Sequence, residues 1–191
     1  MIRENQFMRR TSDNPPSRFP ERPISAAQHP WFVAHVKPRA EKAVADDCVR
    51  RETEYYLPLI TKVTRRKDNN KPRKSVLPLF PGYICVSGGR EVANSLYATG
   101  LIASIIEIRH QKKFIAELGQ IYSVLEKGVP LEPCTESFAK GIEVCVISGP
   151  MRGIRGIVTN TRNPNSVVLS VEGLGRAAMT VDASMVKPVE Q

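Results

Sequence analysis

Ten residues constrain this chain most: Leu77-Pro78-Leu79-Phe80-Pro81-Gly82-Tyr83-Ile84-Cys85-Val86. A central strand needs backbone donors along its length, and proline has none. Pro78 and Pro81 therefore argue against a regular central strand before Gly82. From Tyr83 the run is aromatic and β-branched enough to form one. Leu79 and Phe80 are thereby held on a short, stiff, kinked segment. That segment directly follows the most basic run in the chain. Lys62 to Lys74 carries seven cations against one acid, Asp68, so +6 of the net charge of +9 lies in one loop. Concentrated positive charge attracts polyanions through counterion release. Fixed apolar surface beside a cationic arm suits docking more than chemistry on a small molecule.

At 191 residues there is room for one domain or two small ones. Apolar content of 41% with only 6% aromatics makes the expected cores aliphatic. No apolar run approaches the ~18 to 20 residues of a membrane-spanning helix, so no membrane partner is expected. The N-terminus lacks the apolar segment of a secretory signal. Cys48, Cys85, Cys134 and Cys145 are widely spread, as are His29, His35 and His110. That spacing predicts buried reduced thiols in a cytoplasmic protein and no metal or other cofactor.

Residues 1–30 hold five prolines and no period, which predicts a disordered tail. Order is expected from Trp31. Trp31 to Val36 reads as a buried strand, Pro38 to about Glu52 as an amphipathic helix, and Tyr55 to Thr64 with Lys71 to Val76 as a hairpin with a cationic tip. A strand from Tyr83, a helix over Arg90 to Ala98, a strand over Ile102 to Ile108 and a helix over Lys112 to Glu126 follow. These predict an α+β sandwich over 31–127 on a mainly antiparallel sheet. Residues 128–140, with Pro130 and Pro133, read as a linker. From Gly141 to the end, short alternating strands and closely spaced turns predict a small all-β barrel.

Two motifs then combine. One is Trp31-Phe32-Val33-Ala34-His35-Val36-Lys37-Pro38-Arg39-Ala40-Glu41-Lys42 with Pro78 to Val86. The other is Gly141 to Val158, with Gly149, Gly153 and Gly156, which looks like a KOW motif. Together residues 31–191 resemble the NusG family of transcription elongation factors. The resemblance implies an N-terminal domain that binds RNA polymerase, a linker, and a C-terminal KOW domain of Src-homology-3-like barrel form. It implies a non-enzymatic, monomeric protein that modulates pausing and termination. The extra tail, with His35 where relatives often carry another aromatic or polar residue and Cys85 where the RfaH branch has a phenylalanine, favours a specialised antiterminator over the housekeeping protein.

By position, the resemblance implies a groove for the polymerase clamp helices lined by His35, Phe80, Tyr83, Cys85 and Ile121. Burial of Phe80 and Cys85 as plain core is the competing reading, and Tyr83 suits a half-exposed rim. Lys37, Arg39, Arg65, Arg66, Lys67, Arg73 and Lys74 are then placed to contact nontemplate or upstream DNA through phosphates. Ile154 and Leu174 occupy loop positions where the family displays apolar residues to a partner, either Rho or a small-subunit ribosomal protein; burial in the barrel core competes with that role. Val167-Val168, Val171 and the glycines at 173 and 175 favour a permanent barrel over helix. The alternative is a ribosome-associated RNA-binding KOW protein, for which the Pro78 to Tyr83 segment has no purpose. No P-loop, HExxH or nucleophile elbow supports an enzyme.

Overall fold

The computed structural model describes residues 14–65, 70–134, 141–158 and 166–189. In chain order its elements are β1 (Arg18–Phe19), β2 (Trp31–Val36), α1 (Glu41–Arg50), β3 (Tyr55–Tyr56), β4 (Leu59–Arg65), β5 (Pro72–Pro78), β6 (Tyr83–Ser87), α2 (Arg90–Ala98), β7 (Ile102–Glu107), α3 (Gln111–Glu126), β8 (Glu132–Pro133), β9 (Ile142–Val146), β10 (Arg155–Val158), β11 (Ser166–Val171), β12 (Gly175–Thr180) and β13 (Val186–Pro188). The fold is α+β, with the antiparallel sheets expected from the sequence.

The near-continuous apolar run of β2, interrupted only by the half-buried His35, is explained by burial on both faces. It lies inside a five-stranded sheet of order β1-β3-β6-β2-β7. Phe32, Ala34 and Val36 point with Ile84 and Val86 toward α1 and α2, where Val44, Ala45, Cys48 and Leu96 complete one core. Trp31, Val33 and Cys85 belong to a second core on the other face, with Phe114, Leu118, Ile121 and Val124 of α3. These four α3 side chains are completely buried. Each contributes on the order of 2 kcal/mol, so packing rather than propensity holds α3 in place. Gln111, at its first turn, ties it to β2. Its Oε1 accepts the Trp31 N–H at 2.8 Å, and its Nε2 donates to the Trp31 carbonyl at 2.7 Å.

β4 and β5 form a separate two-stranded ribbon, paired from Leu59↔Pro78 to Arg65↔Pro72. Pro78 is tolerated because the ribbon has no further neighbour on that edge. The C-terminal strands form one antiparallel sheet of order β13-β9-β10-β11-β12-β8, curled around Val144, Val146, Val167, Leu169, Val171, Ala177 and Met179. At Gly156 a Cβ would lie 2.6 Å from Val167 Cγ1 and 2.7 Å from the Val168 carbonyl oxygen, so β10 and β11 close only over a glycine.

Three expectations need correction. Residues 14–30 are not a disordered tail: β1 adds an edge strand to β3, and Ile24 is buried in the second core. Order there is secured by partners far along the chain, which composition does not reveal. Helix α1 begins at Glu41 rather than Pro38, because Arg39 adopts φ 64° and cannot belong to a right-handed helix. The stretch read as linker carries β8, which pairs with β12, and Leu131 is buried beside it. Residues 1–13, and the linker's second half at 135–140, lie outside the described residues.

Candidate docking site

The turn between β5 and β6 is fixed from several directions. Leu79 N–H donates to the Pro58 carbonyl at 2.8 Å, and Tyr83 N–H to that of Phe80 at 3.2 Å. Gly82, at φ +88°, accepts the Val36 N–H at 2.8 Å. Its own N–H donates to Glu41 Oε1 at 2.7 Å. Glu41 is a buried carboxylate in the first turn of α1, and this long-range bond accounts for its burial. The sequence marks it only as a first-turn acid, so its role in the turn is not readable there. The His35 imidazole lies over Gly82, close enough that a Cβ there would sit 3.6 Å from its Cδ2.

His35 pairs with Tyr83 across β2 and β6, and Val33 pairs with Cys85. Period-2 alternation therefore puts His35, Tyr83 and Cys85 on one face of the sheet. The His35 and Tyr83 rings stack with centroids 4.9 Å apart. Phe80, Cys85 and Ile121 belong to the same buried cluster, and Tyr83 packs against it. The five residues named for the groove are thus brought together. They are not an open groove: Cys85 and Ile121 are fully buried, Phe80 is 4% exposed, and His35 and Tyr83 are half-buried. Burial pushes the Cys85 thiol well above its ordinary value of 9.0, which holds it protonated.

What covers this face is the C-terminal barrel. A Cβ at Gly173, in the β11–β12 turn, would lie 3.2 Å from Ile108 Cδ1, 3.4 Å from Ile106 Cγ2 and 3.5 Å from Val33 Cγ2. One at Gly175 would lie 3.8 Å from Phe80 Cδ1. Two polar contacts to α3 flank the seat. Gln120 Oε1 accepts the Arg155 N–H at 2.7 Å, and Glu117 Oε2 accepts the Glu172 N–H at 3.0 Å. Leu174 and Ile154, expected on display, are each 6% exposed within the shared cluster. The two surfaces named for two different partners are therefore buried in one continuous core.

The ribbon behaves differently. Lys62, Arg65 and Lys74 are exposed along it and Arg73 is half-buried. Lys37 and Arg39 are exposed in the turn after β2. Arg66 and Lys67 lie outside the described residues. The ribbon is anchored at its base by Lys42, whose Nζ donates to the Val76 carbonyl and to Asn14 Oδ1, both at 2.6 Å. Nothing in the amphipathic pattern of α1 marks Lys42 for this bridge. No helix among the described residues is long and apolar enough to cross a membrane.

Residues 29–129 match the family profile described as transcription termination factor nusG. Among solved structures, one of the domain interaction in Thermotoga maritima NusG is similar at 16% identity. The similarity covers 84% of this chain and 97% of that one, with a TM-score of 0.46. A crystal structure of the MjSpt4:Spt5 complex is similar at 17% identity, with the same coverage of 84% and 97% and a TM-score of 0.25. No curated protein matches the sequence.

Proposed function

The chain belongs to the NusG family of transcription elongation factors, and on that premise we propose that it docks on RNA polymerase through the face beneath the barrel, as a specialised antiterminator. The observation that carries the proposal is the gathering of His35, Phe80, Tyr83, Cys85 and Ile121 on one side of the sheet, beside a cationic ribbon. A face built from an aromatic pair and aliphatic side chains fits the apolar side of a helical pair, such as the clamp helices. Because the barrel lies on that face, docking requires the barrel to move off first. The ribbon, with Lys37 and Arg39, then tracks upstream or nontemplate DNA through phosphates, which gives affinity without sequence readout. The freed barrel presents Leu174 and Ile154 to Rho or a small-subunit ribosomal protein, in the manner of a KOW domain. Residues 14–30, most of which precede the family match, support a specialised paralogue.

Pull-down with core RNA polymerase, competed by a free clamp-helix fragment, tests the reading. Competed binding is expected. Binding to structured RNA with no affinity for polymerase overturns it and favours the ribosomal alternative. Transcription on a pausing template, with and without the protein, then reads the sign of its effect on pausing and termination.

A further inference from the structure

The strap of residues 14–30 makes more contacts than an edge strand requires. Arg22 forms a two-pronged ion pair with Glu54, Nε to Oε1 at 3.0 Å and Nη2 to Oε2 at 2.7 Å. Pro16 accepts the Tyr55 hydroxyl at 2.7 Å, and Ser17 accepts the Leu57 N–H at 2.7 Å. The strap then crosses to α3. The Arg18 guanidinium sits 4.3 Å from the centroid of the Tyr122 ring, and Ile24 is buried in the core that α3 completes. Arg18, Ile24, Ile115, Gly119 and Tyr122 border a groove of about 370 Å³ between strap and helix.

The positions on α3 matter. At about 100° per residue, Ile115, Gly119 and Tyr122 form one flank of the helix. Glu117 and Gln120, which hold the barrel, lie on the other flank, roughly 170° away around the axis. The fully buried Phe114, Leu118 and Ile121 lie between them, against the sheet. The helix is therefore cradled, with the strap on one side and the barrel on the other. When the barrel leaves, one side of the cradle goes with it.

We infer that the strap is a positioning element for the docking face. It clamps α3 to the sheet from the flank the barrel does not touch, so Ile121 stays in place once the barrel has moved off. The role of that face rests on the docking reading above, whereas the clamp itself does not.

The test is hydrogen exchange on the full chain, comparing wild type with Arg22→Ala/Ile24→Ser and with the milder Arg18→Ala. The double variant is expected to speed exchange of the α3 amides from Leu118 to Val124 by about tenfold or more, with β2 and β6 amides unchanged. Arg18→Ala is expected to do the same by about threefold, from loss of the contact to Tyr122 and of the hydrogen bond from Arg18 Nη1 to the Arg22 carbonyl at 3.1 Å. Faster exchange confined to Tyr55 and Tyr56, with α3 as protected as before, overturns the clamp and leaves a simple edge cover. Should the double variant unfold, seen as lost protection in β2 and β6, Arg18→Ala decides alone. Pull-down supplies the second arm: Arg22→Ala/Ile24→Ser is expected to bind polymerase several-fold more weakly than wild type. Loosened α3 with unchanged polymerase affinity overturns the positioning role. Absence of any binding by wild type removes the docking reading, and the exchange arm still decides the clamp.

Discussion

Two polar contacts tie the barrel to α3, and removing both is expected to raise the open population measurably. In Glu117→Ala/Gln120→Ala, the Glu172 and Arg155 amides lose their acceptors. The bond to Glu117 is made to a carboxylate, and such bonds contribute about 1.5–3 kcal/mol; the bond to Gln120 is neutral and contributes about 0.5–1.5 kcal/mol. Both sit at a half-exposed rim where water can replace the lost acceptor, so the lower ends apply. The sum is about 2 kcal/mol, or about 30-fold in the ratio of closed to open protein. A wild-type open population of about 1% would rise to about a quarter. Nitrogen-15 relaxation reads this directly, because a seated barrel tumbles with the sheet and a released one tumbles faster. Neither side chain reaches the barrel core, so the barrel's own amide protection is expected to persist. Barrel relaxation in the double variant that is identical to wild type refutes the argument. The apolar seat around Gly173 would then hold the two parts together unaided.

Three further outcomes follow from named contacts. Gly156→Ala forces a Cβ to within 2.6 Å of Val167, and is expected to cost the barrel about 1–3 kcal/mol, read as a lower melting temperature of the barrel amides with β2 and β6 unaffected. Glu41→Ala removes the acceptor of the Gly82 N–H and is expected to destabilise the turn by about 1–3 kcal/mol, whereas Glu41→Gln keeps an amide oxygen there; equal losses in chemical denaturation would show that the bond is not what matters. Burial pushes the Cys48 thiol from 9.0 up to about 12, so the folded chain keeps a proton that the unfolded chain releases. Stability from this group is complete below pH 9 and falls as pH rises from 9 toward 12, a slope that Cys48→Ala is expected to flatten in denaturation curves.

Local pattern made most of the elements legible. The β2 run, the α3 spacing and the barrel's alternation each satisfy one period, and each forms where that period places it. The prolines at 78 and 81 correctly mark where the ribbon stops and the sheet begins. What the sequence hides depends on partners far along the chain. The strap looks disordered because its order comes from Glu54, Leu57 and Tyr122 rather than from its own composition. Glu41 and Lys42 look like solvated helix charges, and each makes a bond more than thirty residues away. Of the two readings the sequence left open for Phe80, Cys85, Ile154 and Leu174, display or burial, the closed structure has burial, and Tyr83 is half-buried as a rim residue should be. An apolar position looks the same in sequence whether it faces solvent, its own core or a second module.

That ambiguity has a thermodynamic consequence. Leu174 lies between Gly173, seated on Val33, Ile106 and Ile108, and Gly175, seated near Phe80. One movement therefore exposes both the sheet face and the barrel tip. If each surface has its own partner, the two binding equilibria share one opening step and are linked. A ligand for the barrel tip that requires the open form raises affinity at the sheet face, by the factor through which it enlarges the open population. Reciprocity then requires the sheet-face ligand to raise affinity at the barrel tip equally. The coupling is bounded by the closing free energy. At an open population of about 1% it reaches at most about a hundredfold, and in Glu117→Ala/Gln120→Ala, about a quarter open, at most about fourfold. Two partners whose cooperativity in wild type falls by an order of magnitude or more in this variant would locate the coupling at the β11–β12 seat.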